Sequence, residues 1–242
     1  MKLAIIAPME EEAAAFKPRL ANLRRTGDGE VPIYVGELNG AEAVLLQCGI
    51  GKANAAWTTA LLVERYRPDA ILHCGVAGGL NPELRVGDTV LATELVYSDV
   101  DATAFGYAYG QVPQMPAGYP ADERLLGIAR RAVAEAPLEG AIASGLVTTA
   151  DSFVNRPSLA ASIRSLFPNA QATDMEGAAV AQTAYRLGVP CLIVRSLSDL
   201  AGEDAKTTYQ SNVDLASERA AAVAEAIALA WLRAEAGGLA LR

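Results

Sequence analysis

Several short apolar segments of the sequence are each followed by residues that could do acid–base chemistry. The groups are Pro8–Glu12, Cys74–Leu80, Thr173–Ala178 and Arg195–Asp199. In open α/β sheets, ligands bind beyond the carboxyl ends of the strands, so we expect these groups to surround one site. Carboxylates are the predicted acid and base, because the chain has a single histidine and no G-x-S-x-G motif.

Three consecutive glutamates, Glu10 to Glu12, directly follow the first apolar segment. Acidic side chains stabilise the first turn of a helix, which would account for them without any role in catalysis. Because three consecutive side chains cannot share one face of a helix, we expect at most one or two of them to point into a pocket.

Two further groups combine charges with small or apolar neighbours. Asp174 and Glu176 precede an Ala- and Gly-rich helical segment, where solvation alone does not explain them, although acids at helix starts are common. Arg195, Ser198 and Asp199 end an otherwise apolar strand. We favour a functional interpretation of this last group over a local Arg–Asp pair with a helix cap.

Glycines follow two of the predicted strands. Gly75–Leu80 is predicted to be a turn, either a tight structural one or one whose backbone approaches a ligand. Gly49–Lys52 is similar. The first segment lacks the Lys-Thr or Lys-Ser ending of a P-loop and does not fit G-x-G-x-x-G, so neither phosphate-binding motif is present there.

The single histidine, His73, lies inside an apolar segment and is interpreted as a core residue. The three cysteines, Cys48, Cys74 and Cys191, also lie in apolar segments, which is typical of buried thiols in a reducing compartment. One histidine and dispersed cysteines do not make a zinc site, so no metal is expected.

The composition excludes several classes of protein. The 242 residues carry 20 basic and 28 acidic side chains, a net charge of −8, whereas a nucleic-acid-binding protein needs a basic face. Hydrophobic residues make up 52% of the chain, which predicts a large core. The N-terminal apolar segment is too short for a signal peptide, and no segment matches a membrane span. We therefore expect a cytoplasmic protein with no membrane partner.

Hydrophobic patterning predicts one α/β domain over residues 1–242, with helices on both faces of a mixed sheet. The predicted strands are Lys2–Ala7, Ile33–Leu38, Ala43–Cys48, Ala70–Cys74, Thr89–Ala92, Ala141–Val147 and Cys191–Arg195. The predicted helices are Met9–Leu20, Lys52–Arg65, Asp122–Glu135, Pro157–Leu166, Met175–Leu187 and a long one from Tyr209 to about Ala236.

The least regular region, Val96–Pro120, is rich in Tyr, Gly and Pro. A loop of this length in a compact domain is usually functional. Its aromatic residues suggest the hypothesis of a protein–protein interface.

Taken together, these segments resemble the bacterial 5′-methylthioadenosine/S-adenosylhomocysteine nucleosidases of the nucleoside phosphorylase/nucleosidase superfamily. The resemblance runs from Met1 to about Leu232, and its most specific part is DATAFGYAYGQVP at 101–113. The other matching segments are MEEE at 9–12, CGIGK at 48–52, AGGL at 77–80, VGD at 86–88, DSFV at 151–154, DMEGAAVA at 174–181 and RSLSD at 195–199. The resemblance implies a three-layer αβα sandwich with a mixed, partly barrel-like central sheet, no cofactor, and a place in methionine salvage and amino-acid biosynthesis.

The implied reaction is hydrolysis of the N-glycosidic bond of an adenine nucleoside, which releases adenine and a 5-thio-substituted ribose. Positive charge then develops on the ribose and negative charge on the leaving base. By resemblance, Asp199 protonates N7 of adenine with support from Ser198. Glu12 is implied to activate the attacking water, with Arg195 nearby.

The resemblance also implies a set of binding residues. Glu176, assisted by Met175, would accept hydrogen bonds from the ribose hydroxyls and favour the cationic ribose. Phe153 would stack on adenine, and the backbone of Val154 would read its edge. The substrate site is further expected to include Val76, Ala77 and Gly78.

A pocket for the 5′-alkylthio group would be lined by Met9, Ile50 and Tyr209. Its remaining walls would come from Ala102, Phe105 and Pro113 of the partner subunit. The resemblance therefore implies a homodimer in which segment 101–113 completes the neighbouring site, in agreement with the interface hypothesis for the irregular region.

Two positions depart from the family pattern. Val76 stands where the family commonly has Ser, and Tyr209 stands where Phe is usual. Losing an ordinary hydrogen bond at Val76 would cost about 0.5–1.5 kcal/mol, which bears on substrate preference and turnover more than on the class of reaction.

Three alternatives stay open beside hydrolysis of methylthioadenosine and S-adenosylhomocysteine. A nucleoside phosphorylase would use phosphate as the nucleophile, but Glu12 would repel that anion. A related nucleosidase would cleave aminofutalosine, which the sequence does not separate from the first two substrates. A non-catalytic nucleoside-binding protein would require loss of Glu12, Glu176 or Asp199, and all three are present.

Overall fold

The computed structural model describes residues 2–26, 29–202 and 204–239. Its strands are β1 (Lys2–Ala7), β2 (Ala21–Thr26), β3 (Ile33–Leu38), β4 (Ala41–Gln47), β5 (Ala70–Gly79), β6 (Thr89–Tyr97), β7 (Tyr119–Pro120), β8 (Ile142–Thr149), β9 (Ala170–Asp174) and β10 (Cys191–Leu200). Its helices are α1 (Glu10–Phe16), α2 (Lys52–Tyr66), α3 (Glu123–Glu135), α4 (Pro157–Leu166), α5 (Gly177–Leu187) and α6 (Ala205–Leu239).

The strands form one mixed sheet that closes on itself at one end. β5, β10, β6, β8 and β9 pair in that order, and β9 pairs back to β5, so these strands make a closed ring. From β5 the sheet continues as an open extension through β1, β4, β3 and β2. The structure therefore confirms the α/β class and the partly barrel-like central sheet.

Helices cover both faces of this sheet, because β1 and its neighbours are apolar on both sides. Leu3 and Ile5 face a cluster that includes residues of α1, α3 and α6. Ala4 and Ile6 face a second cluster that includes residues of α2 and α5. This alternation gives three layers, as expected for strands that read as apolar throughout.

The strands β5, β6, β8 and β10 extend further at their carboxyl ends than the sequence predicts. In β5 and β10 the extension brings candidate site residues into the ring. The prediction of a turn over Gly75–Leu80 is wrong for Gly75 to Gly79, which continue β5. In the same way, β10 runs on from Arg195 to Leu200. Close packing inside the strand favours a small residue at position 79, because a Cβ on Gly79 would lie 2.9 Å from the Leu200 side chain.

Other differences concern the ends of elements and the short strands. Three strands of the sheet were not among those predicted, namely β2, β7 and β9. β2 is a polar edge strand without an apolar pattern, and β7 has only two residues. α6 begins at Ala205, one turn before the predicted start, and α5 begins at Gly177. The region after β6 is irregular, as expected, apart from β7 and a short 3₁₀ turn at Thr103–Phe105.

Candidate active site

A cavity of about 460 Å³ opens at the carboxyl ends of β5, β9 and β10. The first turns of α1 and α6 and the residues before α5 form part of its wall, and the segments after β4 and β8 form the rest. This size is within the range of small-molecule sites. The cavity lies where ligands are expected to bind in an α/β fold.

Glu12, in the first turn of α1, is the only one of the three consecutive glutamates with a buried side chain. Its Oε2 accepts a hydrogen bond from the Met9 N–H at 2.7 Å, and its Oε1 accepts one from the Val76 N–H at 2.8 Å. Burial raises the pKa of Glu12 to about 7, against the opposing effect of the Arg195 charge. A fixed carboxylate that titrates near neutral pH can accept a proton from water.

Arg195 lies fully buried in β10, behind the cavity wall. Its Nε donates to Asp174 Oδ2 at 2.8 Å, and its Nη2 lies 3.8 Å from Glu176 Oε2. A Cβ on Gly75 would lie 2.9 Å from Arg195 Nη1 and 2.4 Å from Glu12 Oε1. Glycine at position 75 therefore lets the guanidinium and the Glu12 carboxylate approach each other beside β5.

Glu176, immediately before α5, accepts a hydrogen bond through Oε1 from the Gly51 N–H at 2.8 Å. Burial, and then the negative charge of Asp174, raise the pKa of Glu176 above its ordinary value. Asp174 is itself anchored, because Oδ1 accepts from Thr149 Oγ1 at 2.6 Å and from the Gly177 N–H at 3.1 Å. The side chain of Met175, between the two acids, also lines the cavity.

An irregularity in β10 positions Asp199. Leu197 pairs with Ala77 and Asp199 pairs with Gly78, so Ser198 is an extra residue in the ladder. Bulges of this kind re-aim side chains near functional sites. Ser198 Oγ donates to Asp199 Oδ2 at 2.9 Å. Burial nevertheless raises the pKa of Asp199 to about 6, so this group can hold a proton under mildly acidic conditions.

The open side of the cavity is apolar and aromatic. Phe153 and Tyr209 meet edge to face with ring centroids 5.8 Å apart. The Tyr209 hydroxyl lies 3.2 Å from Met9 Sδ. Ile50 and Phe153 are 51% and 40% exposed, whereas the adjacent Val154 is buried.

The structure thus brings most of the predicted site residues to one cavity, with four exceptions. Arg195 contacts the acidic groups from behind the wall and does not line the cavity. Ala102, Phe105 and Pro113 do not line the cavity of their own chain. Phe105 is 83% exposed on the segment after β6.

The sequence predicted no individual role for several residues at this site, although Asp174 belongs to a segment that was expected to surround it. Asp174 lines the cavity and pairs with Arg195, and its position beside Glu176 was the available signal. Lys206 and Gln210 also line the cavity. Lys206 precedes Tyr209 by three residues, the spacing that places two side chains on one helix face, but that signal required knowing that α6 begins early.

His73 is fully buried in β5, as predicted, and its Nε2 lies 3.0 Å from Arg195 Nη2. Burial, together with the Arg195 charge, holds the pKa of His73 well below its ordinary value. The ring is therefore neutral at physiological pH and packs against the guanidinium.

The described residues include neither a metal-binding cluster nor a membrane-spanning helix. They contain no cluster of three or more His, Cys, Asp or Glu side chains that could hold a metal ion. Nor does any helix within the described ranges have the length and apolarity required to cross a membrane.

Comparison with known proteins gives a consistent result. The family model of the phosphorylase superfamily matches residues 2–233. A 5′-methylthioadenosine/S-adenosylhomocysteine nucleosidase of Anoxybacillus flavithermus is 46% identical over 210 residues, which cover 87% of this chain and 90% of that protein. The nucleosidase of Geobacillus thermodenitrificans is also 46% identical, over 91% of this chain and 93% of its own length.

Solved structures agree with these relatives. The Neisseria meningitidis 5′-methylthioadenosine/S-adenosylhomocysteine nucleosidase in complex with methylthio-immucillin-A superimposes with a TM-score of 0.91 at 39% identity, covering 94% of this chain and 98% of that one. The Colwellia psychrerythraea enzyme in complex with adenine superimposes with a TM-score of 0.91 at 36% identity, covering 94% of each chain.

Proposed function

Because the chain belongs to the phosphorylase superfamily and, within it, to the 5′-methylthioadenosine/S-adenosylhomocysteine nucleosidases, we propose that it hydrolyses the N-glycosidic bond of these two nucleosides. The products are adenine and the corresponding 5-thio-substituted ribose. The observation that carries the proposal is the meeting of Asp199, Glu12 and Glu176 in one cavity of nucleoside size.

Asp199 is the proposed general acid. Its carboxyl is buried and its pKa is raised to about 6, so a proton can be held there and delivered to N7 as the base departs. Ser198 fixes the orientation of this group by donating a hydrogen bond to Oδ2. Protonation of the leaving base removes the negative charge that would otherwise develop on it.

Glu12 is the proposed base for the attacking water. Two backbone N–H groups hold its carboxylate, which limits its freedom before the reaction begins. Arg195 supports the same carboxylate electrostatically from behind β5. The water would lose a proton to Glu12 as it attacks the ribose carbon.

Glu176 is the proposed ligand of the ribose hydroxyls. Its Oε1 is tied to the Gly51 N–H, and its carboxyl can accept hydrogen bonds from the ribose hydroxyls in either protonation state, so this role does not depend on its raised pKa. Met175 would pack beside the ribose. Phe153 would stack on adenine at the open side, with the backbone of Val154 at the edge of the base.

The 5′ substituent would lie against Met9, Ile50 and Tyr209, which are on the apolar side of the cavity. That side is open in the single chain, as the exposure of Ile50 and Phe153 demonstrates. We propose that Ala102, Phe105 and Pro113 of the partner subunit close it in a homodimer. The nearly complete exposure of Phe105 supports this arrangement, since an exposed aromatic side chain is typical of an interface.

Charge favours water over phosphate as the nucleophile. Among the described residues, the acidic groups on the cavity wall are Glu12, Asp174, Glu176 and Asp199. Lys206 is the one cation on that wall within the described ranges, because Arg195 lies behind it and is paired with Asp174. A phosphate anion beside these carboxylates would be repelled.

The deciding experiment is to incubate the purified protein with 5′-methylthioadenosine, with and without phosphate, and to separate the products by chromatography. We expect adenine and free methylthioribose at a rate that does not depend on phosphate. A requirement for phosphate, with methylthioribose 1-phosphate as product, would overturn the proposal. S-adenosylhomocysteine and aminofutalosine, assayed in parallel, would define the preference for the 5′ substituent.

A further inference from the structure

A cluster of three charged residues lies just outside the cavity and joins three separate segments of the chain. Lys52, the first residue of α2, places Nζ 2.6 Å from Asp99 Oδ2 and 3.6 Å from Asp151 Oδ2. Asp99 follows β6, and Asp151 follows β8. We refer to these three residues as the Lys52 cluster.

Backbone hydrogen bonds tie the same segments together. The Lys52 N–H donates to Asp151 Oδ1 at 2.8 Å, and the Asp151 N–H donates to Asp99 Oδ2 at 2.9 Å. The Lys52 ammonium also lies 5.4 Å from the centroid of the Tyr97 ring. Each charged group of the cluster therefore has two or more partners, which is more than an isolated surface ion pair has.

The segments joined by the cluster carry two large hydrophobic side chains of the cavity wall that are exposed, Ile50 and Phe153. Ile50 is two residues before Lys52, and Phe153 is two residues after Asp151. Between Ile50 and Lys52, the Gly51 N–H holds Glu176. Among the described residues, the polar contacts between these two segments are those that Asp151 makes with the N–H and the ammonium of Lys52, so the cluster is in a position to set the distance between Ile50 and Phe153.

We propose that Lys52, Asp99 and Asp151 are positioning residues, which hold Ile50 and Phe153 at the spacing that a 5′-thio-substituted adenine nucleoside requires. The inference rests on the proposed function, because Ile50 is assigned to the 5′ group and Phe153 to the base. None of the three residues lines the cavity, so they act through the segments that they hold together.

The Lys52 cluster has one positive and two negative charges, and this imbalance leads to a specific prediction for double variants. One ammonium is shared by two carboxylates, and Asp99 Oδ2 accepts both from Lys52 Nζ and from the Asp151 N–H. Without the ammonium, the negative charges of Asp99 and Asp151 would repel each other. Removing the Lys52 charge alone should therefore change the distance between Ile50 and Phe153 more than removing the Lys52 and Asp99 charges together.

The test is to measure kcat and KM for 5′-methylthioadenosine, and the calorimetric Kd of adenine, in Lys52→Met. The side chains of Lys52 and Asp99 are about three-quarters buried and that of Asp151 about half, between an exposed pair and a fully buried one, so we expect KM and Kd to rise by up to about tenfold. Since the carboxylates of the cavity keep their own backbone hydrogen bonds, kcat should stay within about threefold. Lys52→Arg, which keeps the charge, should recover part of the affinity.

Lys17→Met is the matched control. Lys17 has the same side-chain exposure as Lys52, pairs with Glu10 at 2.7 Å and lies 4.7 Å from the Tyr34 ring centroid, but it is not at the cavity. We expect a similar small loss of thermal stability with an unchanged KM. The double variant Lys52→Met/Asp99→Asn should have a lower KM than Lys52→Met.

A wild-type KM and Kd in Lys52→Met, with only the melting temperature lowered, would show that the cluster is merely structural and would overturn the inference. A double variant with a KM no lower than that of Lys52→Met would overturn its electrostatic basis. Failure of the unaltered protein to turn over the nucleoside would instead reject the proposed function. The calorimetric Kd would still test the cluster in that case.

Discussion

The inner and outer parts of the cavity differ in how their residues are held. The inner part, which we call the floor, consists of Glu12, Asp174, Glu176 and Asp199, with Arg195 directly behind them, and all five are buried and tied by hydrogen bonds. The outer part, which we call the rim, consists of Ile50, Phe153 and Tyr209, which are only partly covered and pack mainly through apolar contacts.

This difference separates chemistry from recognition. Burial raises the pKa of the floor carboxyls Glu12 and Asp199 into the range where they can exchange protons near neutral pH. The rim offers an aromatic surface and an apolar surface, which bind the base and its 5′ substituent without changing charge. Substitutions in the floor should therefore lower kcat, and substitutions in the rim should raise KM.

The largest effect is expected for Asp199→Asn in the floor. The amide keeps the shape of the carboxyl, but its N–H protons are far too weakly acidic to be transferred to the leaving base, so kcat should fall by roughly 10²–10⁴-fold. The Kd of 5′-methylthioadenosine should stay within a few-fold, which calorimetry would measure. Asp69→Asn, at an exposed site that accepts a hydrogen bond from the Lys2 N–H, is the control. Undiminished turnover in Asp199→Asn would remove the proposed acid.

The pH profile of kcat/KM provides the next largest effect. The active form needs Glu12 deprotonated and Asp199 protonated, yet the pKa of the base is about 7 and that of the acid about 6. Activity should rise as pH increases to about 6, change little up to about 7, and then fall about tenfold per pH unit.

A profile that remains flat to pH 9 would contradict this assignment of the floor.

The same pKa values give the sign of the effect of pH on the stability of the folded protein. Both carboxyls have a raised pKa in the folded protein, so they bind protons more tightly there than in the unfolded chain. Their contribution to stability is therefore present in full below the unfolded pKa of about 4 and is lost as pH rises through 6 and 7.

Phe153→Ala examines the rim. Stacking of a base on an aromatic ring contributes about 1–3 kcal/mol, so the KM for 5′-methylthioadenosine should rise by about 5- to 150-fold. Because no proton is exchanged at the rim, kcat should change by less than about threefold. Phe153→Tyr keeps the aromatic face and should bind as the unaltered protein does. A loss of kcat without a change in KM would assign Phe153 to the floor.

The class of fold was easier to predict from the sequence than the contacts that shape the site. The apolar segments and the amphipathic segments were enough to predict the α/β class and most strands of the sheet, because burial on both faces leaves a clear pattern. The prediction of a turn at Gly75–Gly79 failed, since glycine marks both a turn and a close approach of side chains. Only the three-dimensional structure reveals that Glu12 and Arg195 occupy the space beside Gly75.

The pairing of Arg195 with Asp174 was equally hidden. The two residues are 21 positions apart, and neither the helix predicted to begin after Asp174 nor the strand predicted to end at Arg195 specifies a partner. Asp199 reaches the cavity because Ser198 is an extra residue in the ladder, and no local sequence pattern predicts such a bulge. Long-range pairing and ladder irregularities are properties of the fold, so composition and periodicity do not predict them.

The smallest effect is expected at Val76, at the boundary between floor and rim. Its N–H already donates to Glu12 Oε1, and its side chain adds an apolar surface to the cavity. In Val76→Ser, a hydroxyl at this position would stabilise the charged form of Glu12 and lower its pKa by up to about one unit, which corresponds to an ordinary hydrogen bond. The falling limb of the pH profile should then move from about 7 towards 6.

At pH 6.5 the same change would increase the fraction of deprotonated Glu12, so turnover should rise by at most about threefold, although a weaker base would offset part of the gain. Val76→Thr should shift the limb in the same direction, because it adds the hydroxyl while keeping the branched shape suited to β5. Val76→Ala, which removes methyl groups without adding a hydroxyl, separates polarity from volume. An equal shift in Val76→Ala would mean that water entering the enlarged cavity, and not the hydroxyl, sets the pKa of Glu12.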